Sequence, residues 1–181
     1  MKFLATPVAG AYIVELEPRE DDRGSFARAF SDEEFLAAGI AMTVRMANMT
    51  YTKRRGTVRG LHYQVPPAEE AKFIRCIRGA AFAVIVDMRA ASPTFRTWTG
   101  VELTAANRRA LYIPESCAAG TQALTDDVEM YYLVTAPYRP SHERGLRHDD
   151  PALAIDWPLP ASDLSGKDRT WPLLPRSENP A

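Results

Sequence analysis

The stretch Lys53–Pro67, KRRGTVRGLHYQVPP, is the densest cluster of chemistry-capable side chains in the chain. Arg59, His62 and Gln64 fall close together, and strand alternation would set His62 and Gln64 on one face. Gly56 and Gly60 permit a bend or a close backbone approach. An imidazole titrates near neutrality and can take up and return a proton. A neighbouring guanidinium can hold an anion. Taken alone, however, a single His on a strand is more often a hydrogen-bonded structural residue. The stretch by itself therefore points to a cationic, histidine-bearing pocket and no further.

Other reactive groups are few. The remaining His, His142 and His148, and the two Cys, Cys76 and Cys117, make none of the H-x-H or H-E-x-x-H spacings of a metal site, so no metal and no cofactor is expected. Both Cys sit in apolar surroundings and read as reduced thiols. Lys and Arg number 22 against 23 Asp and Glu, a formal net charge of -1. No basic excess favours nucleic acid or an anionic membrane surface. No apolar run approaches the ~20 residues of a membrane span. The N-terminal MKFLATPVAGAYIVE alternates, unlike the apolar block of a signal peptide, so a cytoplasmic location is expected.

The elements that must position His62 are mostly strands. GAYIVELEP alternates, AAFAVIVDM is a near-continuous apolar run suited to a strand buried on both faces, and KFIRCIRG, WTGVELTA, RRALYIP, TQALT and VEMYYLVTAPY follow the same grammar. Turn-like separators such as ASPT, AANR and TDD divide them. Many short strands at close spacing indicate an all-β sandwich or barrel. One helix is signalled at SDEEFLAAG, with Ser31 and Glu34 as a capping box and Gly39 as its stop. With 181 residues and 46% hydrophobic content, a single domain over 1–181 is expected. From about Arg139 the chain turns rich in Pro, charge and Trp, as an irregular C-terminal wrap would.

Six segments in order resemble the dTDP-4-dehydrorhamnose 3,5-epimerase family: DDRGSFARAF (21–30), GTVRGLHYQ (56–64), AKFIRCIRGAAFAVIVDMR (71–89), SPTFRTWTGVELTAANRRALYIPE (92–115), ERGLRHDDPALAIDWP (143–158) and LSGKD (164–168). The resemblance implies a cupin-like jelly-roll sandwich with a few short helices, a homodimer and no metal. It also implies a nucleotide-linked 4-keto-6-deoxy sugar as substrate. A C4 ketone acidifies the protons on C3 and C5. A base removes one, an enolate forms, and a proton returns on the other face. His62 matches the base, Asp168 its carboxylate partner and Tyr132 the acid. Arg59 and Lys72 match cations that hold phosphate or the enolate oxygen. Arg23, Asn48, Gln64 and Lys167 match further substrate contacts. Tyr138 matches an aromatic on the nucleotide base, with Phe26 in the same role from the partner subunit.

The match departs at SCAAGTQ. The family carries Ala-His-Gly and then an aromatic, where this chain has Ala118, Ala119, Gly120 and Thr121. The segment is expected to line the site with Ala119 in place of an imidazole. The loss of one such donor is worth about 100- to 1000-fold in rate. In the nucleotide region the family's Glu is Arg28 and its Gln is Met46. A reversed charge cannot keep a base contact that a carboxylate accepts. Epimerisation with altered scope is the leading reading. A non-catalytic nucleotide-sugar-binding paralogue, or another carbonyl reaction on the same fold, stays open.

Overall fold

Period-2 patterning and β-branched or aromatic runs build thirteen strands among the described residues. The computed structural model describes residues 1–175, so residues 176–181 of the expected 1–181 unit lie outside it. In chain order the elements are β1 (Lys2–Ala5), β2 (Tyr12–Glu15), β3 (Arg19–Asp21), β4 (Gly24–Phe26), α1 (Asp32–Ala37), β5 (Met46–Thr52), β6 (Val58–Gln64) and β7 (Lys72–Arg78). Then come β8 (Ala80–Asp87), β9 (Trp98–Thr104), β10 (Ala110–Ile113), β11 (Cys117–Ala123) and β12 (Val128–Val134). A 3-10 turn at Pro140–His142, β13 (Glu143–Gly145) and α2 (Gly166–Thr170) complete the order.

A six-stranded sheet, β1-β2-β10-β7-β12-β5, stacks on a five-stranded sheet, β13-β6-β11-β8-β9. Every pairing within these two sheets is antiparallel. The result is the cupin-like jelly-roll β-sandwich expected from the sequence. The central core lies between the sheets and includes Ile74 and Cys76 of β7, Ile85 of β8, Leu103 of β9, Leu111 of β10 and Met130 of β12. Burial of such side chains drives the stacking.

Two further clusters close the outer faces. On the six-stranded sheet, α1 seats Phe35 among Phe3, Phe30, Phe73 and Tyr112, with ring centroids 5.0–5.9 Å away. Ser31 caps this helix by accepting from Glu34 N at 3.3 Å. The expected reciprocal half of the capping box is replaced, because the Glu34 carboxylate pairs with the chain's own N-terminus and lies 3.5 Å from Arg28. On the five-stranded sheet, the C-terminal wrap lays Leu146 and Leu153 over Leu61, Val84, Val86 and Ala118. The run AAFAVIVDM is thus covered on both faces. Gln122 pins the wrap: its amide donates to Leu159 O at 2.7 Å and accepts from Leu159 N at 3.1 Å.

A polar knot ties off one end of the sandwich. Asp87 is fully buried at the end of β8. It accepts from Arg89 Nε and Nη2, both at 2.8 Å, from Ser92 Oγ at 2.5 Å and from Thr94 Oγ1 at 2.6 Å. Burial pushes the carboxyl up, but these donors outweigh it and hold it well below the usual carboxylate range. A carboxyl depressed on folding stabilises fully above its ordinary value of ~4 and loses that contribution as pH falls below it. Asp87→Asn should therefore lower stability on the order of 3 kcal/mol at neutral pH. Chemical denaturation measured from pH 7 down to pH ~2 should show the gap between variant and parent closing below ~4.

Candidate active site

A cleft of about 230 Å³ opens between the two sheets. One wall is built from the five-stranded sheet and carries Arg59, His62, Ala119, Gly120 and Thr121. The other is built from the six-stranded sheet and carries Thr50, Lys72, Ile74, Met130 and Tyr132. Arg59 and His62 are three apart and would face opposite ways on a regular strand. The β11–β6 pairing shifts register between Ala119 and Thr121, so that Ala119 lies opposite His62 and Thr121 opposite Arg59. That irregularity brings both side chains into one cleft. It depends on Gly60, where φ is +115° and a Cβ would lie 2.6 Å from Ala119 O and from Gly120 Cα.

His62 Nε2 lies 2.5 Å from Asp168 Oδ1. Asp168 is only 4% exposed. Burial raises its pKa, but the His62 hydrogen bond, the His62 charge and the Ser165 and Gly60 contacts prevail and keep it below the ordinary value. The carboxylate is therefore the acceptor and Nε2 carries the proton, which leaves Nδ1 as the nitrogen able to take one. Asp168 reaches this place on α2, whose N-cap Ser165 accepts from Asp168 N at 3.1 Å. The sequence reading assigned no helix here, although S-x-x-D at 165–168 is the capping signature that announces one.

Tyr132 and its neighbour Tyr131 face opposite sides of β12: Tyr132 packs toward the central core, Tyr131 toward the α1 cluster. Burial raises the Tyr132 phenol, the Glu70 charge raises it further, and Arg59 opposes them. Arg59 is oriented by donating to Thr52 Oγ1 at 2.8 Å and to Tyr51 O at 2.9 Å. Lys72 is not a lone cation. Its Nζ lies 3.0 Å from Glu70 Oε1 and donates to His62 O at 3.2 Å. Glu70 was not among the residues singled out from the sequence, where one more charge in a polar run gives no signal. Asn48 pairs with Tyr132 across the β5–β12 ladder and shares its face.

The other expected contacts divide. Gln64 is 1% exposed and commits its whole amide to backbone. It donates to Ala68 O at 2.8 Å and Pro137 O at 3.2 Å, and accepts from Arg139 N at 2.5 Å. Expected as a substrate contact, it fastens two loops to β6. Tyr138 and Lys167 converge on Glu143, with Tyr138 Oη donating at 2.8 Å and Lys167 Nζ at 2.8 Å. Glu143, absent from the sequence reading, pairs across the ladder with Gln64, two residues from His62. Arg23 is paired with Asp21, and its side chain is 90% exposed. Phe26 is 70% exposed. Arg28 and Phe26 line a separate groove of about 420 Å³ beside the N-terminus that shares no residue with the His62 cleft. Within one chain, then, Arg23, Phe26 and Arg28 are not gathered at His62, because β3 and β4 form an exposed ribbon outside both main sheets.

Among the described residues, no three His, Cys, Asp or Glu lie close enough together to hold a metal ion. None of the described helices is long and apolar enough to cross a membrane. Cys76 and Cys117 are both unpaired and buried.

Comparison with known proteins places this geometry. A protein from Methanothermobacter thermautotrophicus named dTDP-4-dehydrorhamnose 3,5-epimerase is 40% identical over 99% of this chain and 96% of its own length. A dTDP-4-dehydrorhamnose 3-epimerase from Streptomyces niveus is 37% identical over 96% of this chain and 84% of its own. The crystal structure of the Bacillus anthracis 3,5-epimerase with TDP and pyrophosphate bound superposes with a TM-score of 0.92 at 36% identity, covering 96% of this chain and 99% of that one. A 3'-monoepimerase from Streptomyces bikiniensis in complex with dTDP-quinovose gives 0.83 at 35% identity, over 92% and 84% of the two chains. The family model for dTDP-4-dehydrorhamnose 3,5-epimerase matches residues 5–176, and the chain belongs to that family.

Proposed function

We propose that this chain inverts C3, C5 or both of a dTDP-linked 4-keto-6-deoxy sugar by proton removal and return through an enolate, in deoxysugar biosynthesis. The observation that carries the proposal is the placement of His62 and Tyr132 on opposite walls of one cleft. A ring between them meets a base on one face and an acid on the other. His62 Nδ1 takes the proton from carbon and the electron pair moves to the C4 oxygen. Asp168 stabilises the imidazolium formed. The Lys72 ammonium lies beside His62 and meets the growing oxyanion. Tyr132 returns a proton to the opposite face, its raised pKa keeping the phenol loaded at neutral pH. Arg59 takes phosphate, Asn48 stands beside Tyr132 on the six-stranded sheet as a further substrate contact, and Tyr138 and Lys167, held together at Glu143, take the nucleotide.

The proposal includes a homodimer in the cytoplasm. Arg23, Phe26 and Arg28 project from an exposed ribbon that does not reach its own cleft. The outer face of the six-stranded sheet leaves Met49, Tyr51 and Ile77 exposed at 60%, 50% and 42%. A second copy laid there would cover these side chains and bring the ribbon of one subunit to the cleft of the other. Ala119 places a single methyl across from His62, so the cleft has room on that side for a sugar substituent larger than hydroxyl.

Proton NMR of dTDP-4-keto-6-deoxyglucose in D2O should show enzyme-dependent deuterium at C3, C5 or both. His62→Ala should reduce the exchange by about 100- to 10,000-fold. Tyr132→Phe should suppress inversion while some exchange persists. Binding without any exchange would sink the proposal in favour of a non-catalytic paralogue, and a product of changed mass would reassign the reaction. Glu70→Gln frees Lys72 from its carboxylate and removes a charge that raises Tyr132. Its KM should fall about fivefold, equivalent to ~1 kcal/mol. The alkaline limb of its kcat profile should move to lower pH, since a phenol with a lower pKa loses its proton sooner.

A further inference from the structure

His62 stands in a row of cross-strand partners whose side chains share one face of the five-stranded sheet: Gly145 on β13, His62 on β6, Ala119 on β11 and Ile85 on β8. Ala119 contributes one methyl to this row. Gly145 contributes nothing, and the volume its side chain would take is filled by the Trp171 indole. A Cβ at Gly145 would lie 2.1 Å from Trp171 Cε2 and 2.2 Å from Nε1. The indole and the imidazole meet edge-on, with centroids 6.4 Å apart and planes at 61°. Trp171 is also the C-cap of α2, the helix that carries Asp168. Its Nε1–H is buried with no acceptor among the described residues.

We infer that Trp171 is a positioning residue for proton transfer at His62. It walls the imidazole on the β13 side and shields the His62–Asp168 bond from water, while Ala119 leaves the opposite side to the substrate. The inference rests on the reading of His62 as base. The two halves of the device are complementary. Only glycine at 145 leaves room for the indole, and Trp171, at the end of α2, enters that space. With the wall removed, the Asp168 bond alone restrains the imidazole on that side and water can reach it. A misplacement of ~1 Å in such a group costs about 100-fold in rate.

Trp171→Ala should lower kcat about 10- to 100-fold with little change in KM, because the effect falls on the base and not on substrate contacts. Trp171→Phe keeps a planar wall, removes the unpaired donor and should retain most of kcat. Gly145→Ala drives a methyl into the indole and should reproduce the loss seen in Trp171→Ala. A second reading needs no substrate. The Nε2 proton shared with Asp168 should give a low-field proton NMR line in the parent and in Trp171→Phe, and a broadened or missing line in the other two variants. Thermal melting checks that each variant is folded. If Trp171→Ala does not fold, Trp171→Leu keeps apolar bulk without the plane and is read the same way. An unchanged low-field line in folded Trp171→Ala overturns the inference, as does a loss of kcat with that line intact. A sharp line in a parent that exchanges no sugar proton would sink the proposed reaction while leaving the positioning role readable.

Discussion

The site depends on one contact between parts of the chain more than a hundred residues apart: the hydrogen bond from the His62 imidazole to the Asp168 carboxylate. A buried carboxylate is costly unless its lone pairs are filled. Here a ring N–H fills one, a long contact from Gly60 N at 3.5 Å assists, and the Ser165 cap holds the backbone. The bond cannot form until the C-terminal wrap has docked on the five-stranded sheet. Leu146, Leu153 and the Gln122–Leu159 clasp are thus as much a part of the site as the cleft walls. Burial of apolar surface on the other face of the sheet from His62 supplies the free energy that positions its partner.

The sandwich explains why the reactive groups need not be close in sequence. Two sheets stack with their side chains interleaved, and at one place the interleaving is left incomplete. His62 enters from one sheet and Tyr132 from the other, so any ring that fits between them is flanked on two faces. The same geometry gives Ala119 its meaning. As the cross-strand partner of His62, it sets the width of the cleft next to the imidazole. In this chain the tight flank lies on the opposite side, where the indole fills the space over Gly145.

Charge inside the cleft is more evenly balanced than a list of basic residues suggests. Lys72 is shared with Glu70, Lys167 with Glu143, and Arg59 is turned by Thr52 and the Tyr51 carbonyl. Paired cations of this kind are held in place before a ligand arrives. They give up part of their field in exchange for that order.

Much of this was legible in the chain itself. The runs that became β7, β8, β9, β10 and β12 announce themselves through alternation or continuous apolar character, since a strand's environment repeats every second residue. Ser31 and Gly39 bound α1 for equally local reasons. The RGLHYQ and LSGKD motifs pointed through family resemblance to His62 and Asp168, which the structure brings together. Other features were hidden because they are not local. TQALT signals only the end of β11; SCAAG before it lacks the bulk of a typical strand, yet β11 begins at Cys117 because β6 and β8 pair with it on either side. Gln64 was expected at the substrate and its amide is spent on backbone, in part on Pro137 and Arg139, more than seventy residues along the chain. Glu70, Glu143 and Trp171 carry no sequence signal of their own. Residue order determined which side chains exist, which strands form and which family they compose. Tertiary structure alone decided which of those side chains meet, because a cleft between two sheets is made by packing, and packing is blind to distance along the chain.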